Sequence, residues 1–137
     1  MSNTVTPESM KKACETYVAS FGRKDLETIV NLFAKDAVIH DPVGKPPRTD
    51  TTTVRDFFTQ VVQNVYDARL DGPVRGSAGN AAAFAFQLFV EWPNGTKQVA
   101  RAIDVMTFDA EGKIALMQAY HGPGDVVDLE PPSASTR

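Results

Sequence analysis

The sequence has few of the residues that support disulfide, metal or membrane chemistry. Its single cysteine, Cys14, cannot form an internal disulfide, which favours a reducing compartment. Neither of the two histidines has an acidic partner at a metal-binding spacing, so we expect no metal site. There is no signal-peptide pattern at the N-terminus and no apolar run long enough to cross a bilayer. We therefore expect a cytoplasmic protein without a membrane partner.

Charge, motifs and length limit which partners, cofactors and number of domains we expect. The net charge is -3 and the 14 basic residues are scattered, so no basic face suggests a nucleic-acid partner. A glycine-rich phosphate loop and a nucleophile elbow are both missing, and we expect no cofactor. The 137 residues fit one domain, with a core over about 7–122 and a partly mobile tail over 123–137.

Apolar residues at helical spacing predict three helices in the first half of the chain. The first is capped by Thr6, and the second is capped by Asp25 and includes Phe33. The third is capped within residues 51–53 and carries Val65 on its apolar face.

The period then changes to alternation, which predicts strands. The expected strands cover residues 37–41, 68–77, 80–92, 97–108 and 113–120. A proline-rich loop follows the first of them, and Asn94-Gly95 predicts a hairpin turn between the third and the fourth. Helices followed by an antiparallel meander predict an α+β fold, in which the helices cover one face of a curved sheet and enclose a pocket.

Asp104 is the most informative polar residue. It shares a strand face with Ala102 and Met106, so its carboxyl group is expected among apolar side chains. An unpaired buried carboxyl group avoids the cost of burying its charge by staying protonated, and it can then donate a hydrogen bond. The alternative is a partner cation, although Arg101 should face the opposite side of the sheet.

Asp41 and Tyr17 are weaker candidates when each is taken alone. Asp41 ends a strand at the edge of an apolar face and precedes Pro42, a placement that suits a general base. Asp-Pro is also common at strand ends. Tyr17 lies on the apolar stripe of the first helix, where a core tyrosine bonded to a backbone carbonyl is the commoner interpretation.

Taken together, these segments resemble the ketosteroid isomerases, the steroid Δ5-isomerases of the NTF2-like superfamily. The resemblance runs from about residue 10 to residue 122, and it lies in the order and separation of short segments. These are residues 17–19, 25–26, 29–30, 32–34, 36–37, 41–44, 55, 57, 83–86, 103–104 and 112–113.

The resemblance implies a cone-shaped α+β fold, three helices over a curved and mostly antiparallel sheet, and a homodimer. It also implies that Asp41 is the general base, while Tyr17 and a protonated Asp104 form the oxyanion hole. A neutral oxyanion-hole aspartate is a known property of that family. The implied ligand is an apolar steroid. The residues expected to line its pocket are Phe58, Phe84, Phe86, Val99, Met106, Met117, Tyr120 and His121.

The sequence departs from the family at three positions. Phe58 stands where some members have a tyrosine that bonds to the oxyanion-hole tyrosine, so a network partner of Tyr17 is missing. His121 aligns with an aromatic residue near the base, where it is able to bond to Asp41 or alter the pH profile. Tyr120 takes that place if the register shifts by one, and His40 replaces an acidic neighbour of the base.

Two other functions are compatible with the same scaffold. A polyketide cyclase or dehydratase would also use an acid–base residue in the pocket, although a dehydratase would more naturally place histidines there. A non-catalytic module that binds steroids or lipids, or that dimerises, is the third interpretation. Such a module has no need for a carboxyl group in the middle of an apolar strand face.

Overall fold

A computed structural model describes residues 5–129 and shows an α+β fold, as predicted. The helices are α1 (Pro7–Gly22), α2 (Leu26–Asn31) and α3 (Thr51–Asn64). The strands are β1 (Phe33–His40), β2 (Val65–Leu70), β3 (Ala81–Glu91), β4 (Lys97–Phe108), β5 (Ile114–Tyr120) and β6 (Val126–Asp128), with a short 3-10 helix at Pro123–Asp125.

One sheet with the strand order β1-β5-β4-β3-β2 forms the scaffold. The β1–β5 pair is parallel and the other pairs are antiparallel. β4 is the central strand, because β3 runs along one of its edges while β5 and then β6 occupy the other. The inward face of β3 and β4 packs beneath the helices, and its buried apolar residues join theirs in one core.

Polar side chains fix where two helices begin. The Thr6 hydroxyl accepts a hydrogen bond from the Ser9 amide at 3.0 Å, as expected of an N-cap. α3 is capped by Asp50, whose carboxylate accepts from the Thr53 amide at 2.8 Å, and not by residues 51–53. A carboxylate is favoured there because it also complements the positive end of the helix dipole.

Two predicted boundaries are wrong because strand pairing overrides helical periodicity. Phe33, expected in α2, begins β1, where it pairs with Ile114 of β5. Val65, expected on α3, begins β2 opposite Val90. β2 ends at Leu70, several residues before the predicted end, and Gly72 follows with a positive φ of 127°.

The segment after β5 holds a strand that the sequence did not predict. Gly122 donates its amide proton to the Asp125 carboxylate at 2.7 Å, and β6 then pairs with residues 98–100 of β4. The expected tail of 123–137 therefore contains a paired strand in its first part, whereas residues 130–137 lie outside the described part. Across residues 5–129, none of the helices has the length and apolar character needed to cross a bilayer.

Candidate active site

A cavity of about 370 Å³ lies between α3 and the inward face of β3 and β4. That volume is within the range of small-molecule sites, about 300 to 1,000 Å³. Its wall is mostly apolar, and its polar side chains include Tyr17, Asp41, Asp104 and His121. Elements far apart in sequence supply these groups: α1, the turn after β1, β4 and the segment that follows β5.

Asp104 lies in the middle of the sheet, between Phe84 of β3 and Ala119 of β5. It is 1% exposed, and neither carboxylate oxygen has a hydrogen-bond partner among the described residues. Burial, assisted by the negative charge of Asp41, raises the pKa of Asp104 well above its ordinary value. Arg101 lies on the exposed outer face and does not pair with Asp104, so a neutral carboxyl group is the form that this site favours.

Tyr17 is buried among aromatic rings of α1, α3 and β3. Its ring is perpendicular to that of Phe21, with centroids 4.9 Å apart, and Phe58 and Phe86 complete its surroundings. The hydroxyl donates to the sulfur of Met117 at 3.5 Å and not to a backbone carbonyl. Because a thioether is a weak acceptor, a ligand oxygen can replace it at little cost. Burial and the nearby Asp104 raise the pKa of Tyr17, so its proton is retained.

Asp41 follows β1 at the cavity wall, where the side chains of His121 and Arg48 hydrogen bond to it. The Nε2 atom of His121 lies 3.0 Å from Oδ1 of Asp41, which is one of the alternatives that the sequence left open for this position. Nη1 of Arg48 donates to the Asp41 backbone carbonyl at 3.0 Å, and its guanidinium lies 4.1 Å from the centre of the Phe57 ring. The hydrogen bond to Asp41 raises the pKa of His121, against the opposing effect of burial.

Three of the residues expected in the pocket lining reach the cavity wall: Phe58, Phe86 and His121. Phe84, Met106 and Met117 have inward side chains, but these are packed into the core and do not form part of the wall. Val99 and Tyr120 are also absent from the cavity wall, because strand alternation turns their side chains to the other face of the sheet. Val99 faces the other side of β4, and Tyr120 is 48% exposed on the outer face of the sheet.

Several wall residues were missed by the sequence argument. They are Arg48, Gln60, Asn64, Trp92, Gln98 and Val126. Trp92, the one tryptophan, ends a predicted strand, and nothing in that position signalled that it borders the cavity. Val126 carried no signal because β6 has only three residues. Within residues 5–129, no three histidine, cysteine, aspartate or glutamate side chains are grouped to hold a metal ion.

Comparisons with known proteins define the family. Residues 14–117, most of the chain, match the SnoaL-like domain. The chain belongs to the SnoaL-like family. This member is also 33% identical over 118 residues to a steroid Delta-isomerase of Nocardioides simplex, an alignment that covers 86% of this chain and 94% of that protein.

A solved structure gives an independent comparison for this SnoaL-like protein. It is SalBIII, described as an epoxide hydrolase/cyclase-like enzyme with a role in pyran ring formation in the polyether salinomycin. The two share 28% sequence identity with a TM-score of 0.81, over 89% of this chain and 97% of that one. These relatives group the chain with enzymes of the NTF2-like class, as the resemblance in the sequence implied.

Proposed function

We propose that this protein is a steroid Δ5-isomerase, which converts 3-oxo-Δ5-steroids to conjugated 3-oxo-Δ4-steroids through a dienolate. The observation that carries the proposal is Asp104, a buried carboxyl group whose two oxygens have no hydrogen-bond partner among the described residues. It lies in the wall of an apolar cavity that also contains Asp41. A neutral acid of this kind suits the stabilisation of a developing oxyanion on a bound ligand.

The proton transfer is assigned to Asp41. Its carboxylate removes a proton from C4, next to the 3-oxo group, and the electron pair of that C–H bond moves into a dienolate. The same carboxyl group then returns the proton to C6, so no outside acid or cofactor is required. His121 and Arg48 support the role because they hold Asp41 from its side chain and from its backbone carbonyl.

The negative charge that forms on the 3-oxygen is assigned to two donors. Tyr17 and the protonated Asp104 donate to it from opposite segments of the chain, α1 and β4. Because both groups are buried, their hydrogen bonds act in a site with little water and need no reorientation during the reaction. Loss of one such donor typically lowers kcat about 10² to 10³-fold.

The lining supports an apolar substrate. Phe58, Phe86 and Leu88 present hydrocarbon to the cavity, and a steroid nucleus offers little else to recognise. Each Å² of apolar surface removed from water contributes about 25 cal/mol. Affinity is therefore expected to come from burial of the rings, while the polar groups set the orientation.

A spectrophotometric assay tests this proposal. Purified protein is mixed with a 3-oxo-Δ5-steroid, and formation of the conjugated enone is followed by its ultraviolet absorbance. The wild type is expected to form the product rapidly. Asp41→Asn should abolish turnover and largely preserve steroid binding, because the amide retains the shape but cannot accept the proton. Binding without any product from the wild type would contradict the proposal.

A second candidate function is epoxide opening or cyclisation, favoured by the likeness to SalBIII. In that reaction Asp104 would give its proton to the epoxide oxygen, and Asp41 would accept the proton of the attacking hydroxyl group. Formation of a cyclic ether from a hydroxy-epoxide, with no isomerisation of a 3-oxo-Δ5-steroid, would favour this function. The two candidate functions are separated by measuring the rate of isomerisation and the rate of cyclisation with the same preparation of the protein. The faster reaction identifies the function.

A further inference from the structure

The cavity extends well beyond the groups that carry the proposed chemistry. Its floor follows β4 from Asp104 at one end to Gln98 at the other, and both residues border the same cavity. A strand rises about 3.3 Å per residue, so these six steps span roughly 20 Å. The partner strand follows the same path, from Phe84 opposite Asp104 to Val90 opposite Gln98.

A steroid nucleus covers about half of that length. From its 3-oxygen to C17 the shortest covalent path has about nine bonds of about 1.5 Å, which in zigzag extend roughly 11 Å. With the 3-oxygen at Tyr17 and Asp104, C17 would lie above the middle of the floor. The part of the cavity between that point and Gln98, here called the outer half, remains for another part of the ligand.

Most of the side chains that line the outer half are apolar. Leu88 and Ala100 face each other across the β3–β4 pair, and Val61 of α3 lies on the opposite wall. β6 adds Val126, which is paired with Ala100 and borders the cavity. None of these apolar side chains can hydrogen bond, so a polar substituent that lies against them would lose its hydration without compensation.

Polar side chains also border the outer half, on α3 and at the ends of the strands. On α3 these are Gln60 and Asn64, and Nδ2 of Asn64 donates to the Gln60 backbone carbonyl at 2.9 Å. The indole of Trp92 donates to Oε1 of Gln98 at 2.7 Å, and Nε2 of Gln98 donates to Asp128 of β6 at 2.8 Å. This chain of hydrogen bonds ties together the ends of β3, β4 and β6. These bonds hold the strand ends together at the rim of the cavity. Both polar atoms of the Gln98 side chain are bonded to the protein.

We propose that the outer half binds an apolar substituent at the end of the substrate remote from the reacting carbonyl. The preferred substrates are then 3-oxo-Δ5-steroids that carry an alkyl chain at C17, with β6 as the element that builds the chain-binding wall. This inference rests on the proposed isomerase function, because that function sets the position of the 3-oxygen.

Two substrates that differ only at C17 test the preference. One carries a branched eight-carbon alkyl chain and the other a C17 oxo group. Each methylene group buried improves binding about fourfold. We expect kcat/KM of the wild type to be at least about tenfold higher for the alkyl substrate. Equal values, or a preference for the C17 oxo steroid, would overturn the inference.

A substitution that fills the outer half gives the second comparison. Ala100→Phe should lower the ratio of kcat/KM, alkyl over oxo, at least about tenfold, because the ring occupies the space of the chain. Thr107→Phe adds the same ring to the opposite face of β4 and should leave the ratio unchanged. If Ala100→Phe does not fold, Val126→Ser replaces it, with a ratio lowered several-fold. An unchanged ratio in the folded outer-half variant would overturn the inference.

Binding separates failure of this inference from failure of the isomerase proposal. Trp92 borders the cavity and is the one tryptophan, so its fluorescence reports ligand binding without turnover. The probes are 3-oxo-Δ4-steroids with and without the alkyl chain. Tighter binding of the alkyl steroid with no isomerisation would support the outer half and contradict the reaction. Isomerisation without that difference in affinity would support the reaction and contradict the role of the outer half.

Discussion

At the scale of single residues, the cost of burying a carboxyl group governs the chemistry of the site. Asp104 has apolar neighbours on both adjacent strands and no hydrogen-bond partner in the described part of the chain. Ionisation there would leave a charge without compensation, so we expect the proton to be retained and to be available for donation. Asp41 lies at the cavity wall with Oδ1 3.0 Å from Nε2 of His121, a placement that suits the base proposed above.

The retained proton of Asp104 makes stability depend on pH. The pKa of Asp104 is raised in the folded state, so above pH 4 the folded protein holds a proton that the unfolded chain has lost. The free energy of unfolding should therefore fall as pH rises, by up to about 1.4 kcal/mol per pH unit from this group. Asp104→Asn should remove that decline and be more stable than the wild type at pH 7.

Urea unfolding from pH 4 to pH 8 measures this difference. The two free energies should converge towards pH 4, where the unfolded chain also begins to bind the proton. Parallel curves for wild type and variant would show that Asp104 is ionised in the folded protein.

His121 gives the second prediction at this scale. Its pKa is raised by the hydrogen bond to Asp41, and the negative charge of Asp125 adds to the effect. Below that pKa the imidazolium pairs with Asp41 and weakens it as a base, so kcat/KM should fall about tenfold on the acidic side. The midpoint of this fall should lie above 6.5, the ordinary value for histidine.

His121→Gln retains a hydrogen-bond donor but does not titrate. Its profile of kcat/KM against pH should therefore lack this acidic limb while its activity at pH 8 stays near that of the wild type. His40→Gln is the matched control, since His40 precedes Asp41 and lies outside the cavity wall. An acidic limb that persists in His121→Gln would assign it to another group.

At the scale of elements, one lysine holds the C-terminal end of α3, the helix that lies over the cavity. Lys24, in the turn between α1 and α2, donates from Nζ to the carbonyls of Val62 at 2.7 Å and Val65 at 2.6 Å. These carbonyls lie where α3 gives way to β2, and the lysine charge also complements the helix dipole.

Lys24→Met should therefore loosen the junction between α3 and β2. With a net contribution of about 1 kcal/mol per hydrogen bond, we expect a loss of about 1 to 2 kcal/mol in the free energy of unfolding. Lys12→Met, on the exposed side of α1, is the control for loss of a surface charge. Equal stability of the two variants by urea unfolding would contradict this role.

The same elements show how far sequence reasoning reached. The cap at Thr6, the long strands β3 and β4, and the inward face of Asp104 could all be predicted, because each depends on neighbouring residues. The starts of β1 and β2 could not, since distant strands determine where pairing begins. β6 was missed for the same reason: its three residues are a strand only beside β4.

In the candidate site, too, the features set by neighbouring residues could be predicted and those set by distant packing could not. Alternation placed Asp104 inward, and the resemblance allowed a contact between His121 and Asp41 as one of several alternatives. The wall itself was less predictable. Phe84 and Met106 point inward, but the packing above them decides whether they border a cavity or fill the core. That depends on how the helices lie on the sheet, which periodicity does not reveal.

At the scale of the whole molecule, the outer face of the sheet bears an apolar cluster. Val43, Ile103 and Tyr120 are 40%, 52% and 48% exposed, and Ile103 pairs with Tyr120 across β4 and β5. Exposed apolar clusters of this kind commonly mark contacts between proteins. We predict a homodimer that buries this face.

Light scattering after gel filtration tests the dimer. The expected mass is twice that of the 14.9 kDa chain, and Ile103→Lys should shift it to that of one chain, because a buried lysine charge opposes association. A monomeric wild type would contradict this prediction and leave the cavity, which lies on the other face, unaffected.

The protonation state of Asp104 tests the central claim most directly, because the proposed oxyanion hole requires a neutral carboxyl group. Carbon NMR of ¹³C-labelled aspartate side chains, with Asp104→Asn used to assign the signal, follows this group as pH changes. We predict that the carboxyl carbon retains its protonated shift at pH 7. A titration midpoint near 3.8, the ordinary value for aspartate, would show a carboxylate at pH 7 and contradict the proposed oxyanion hole.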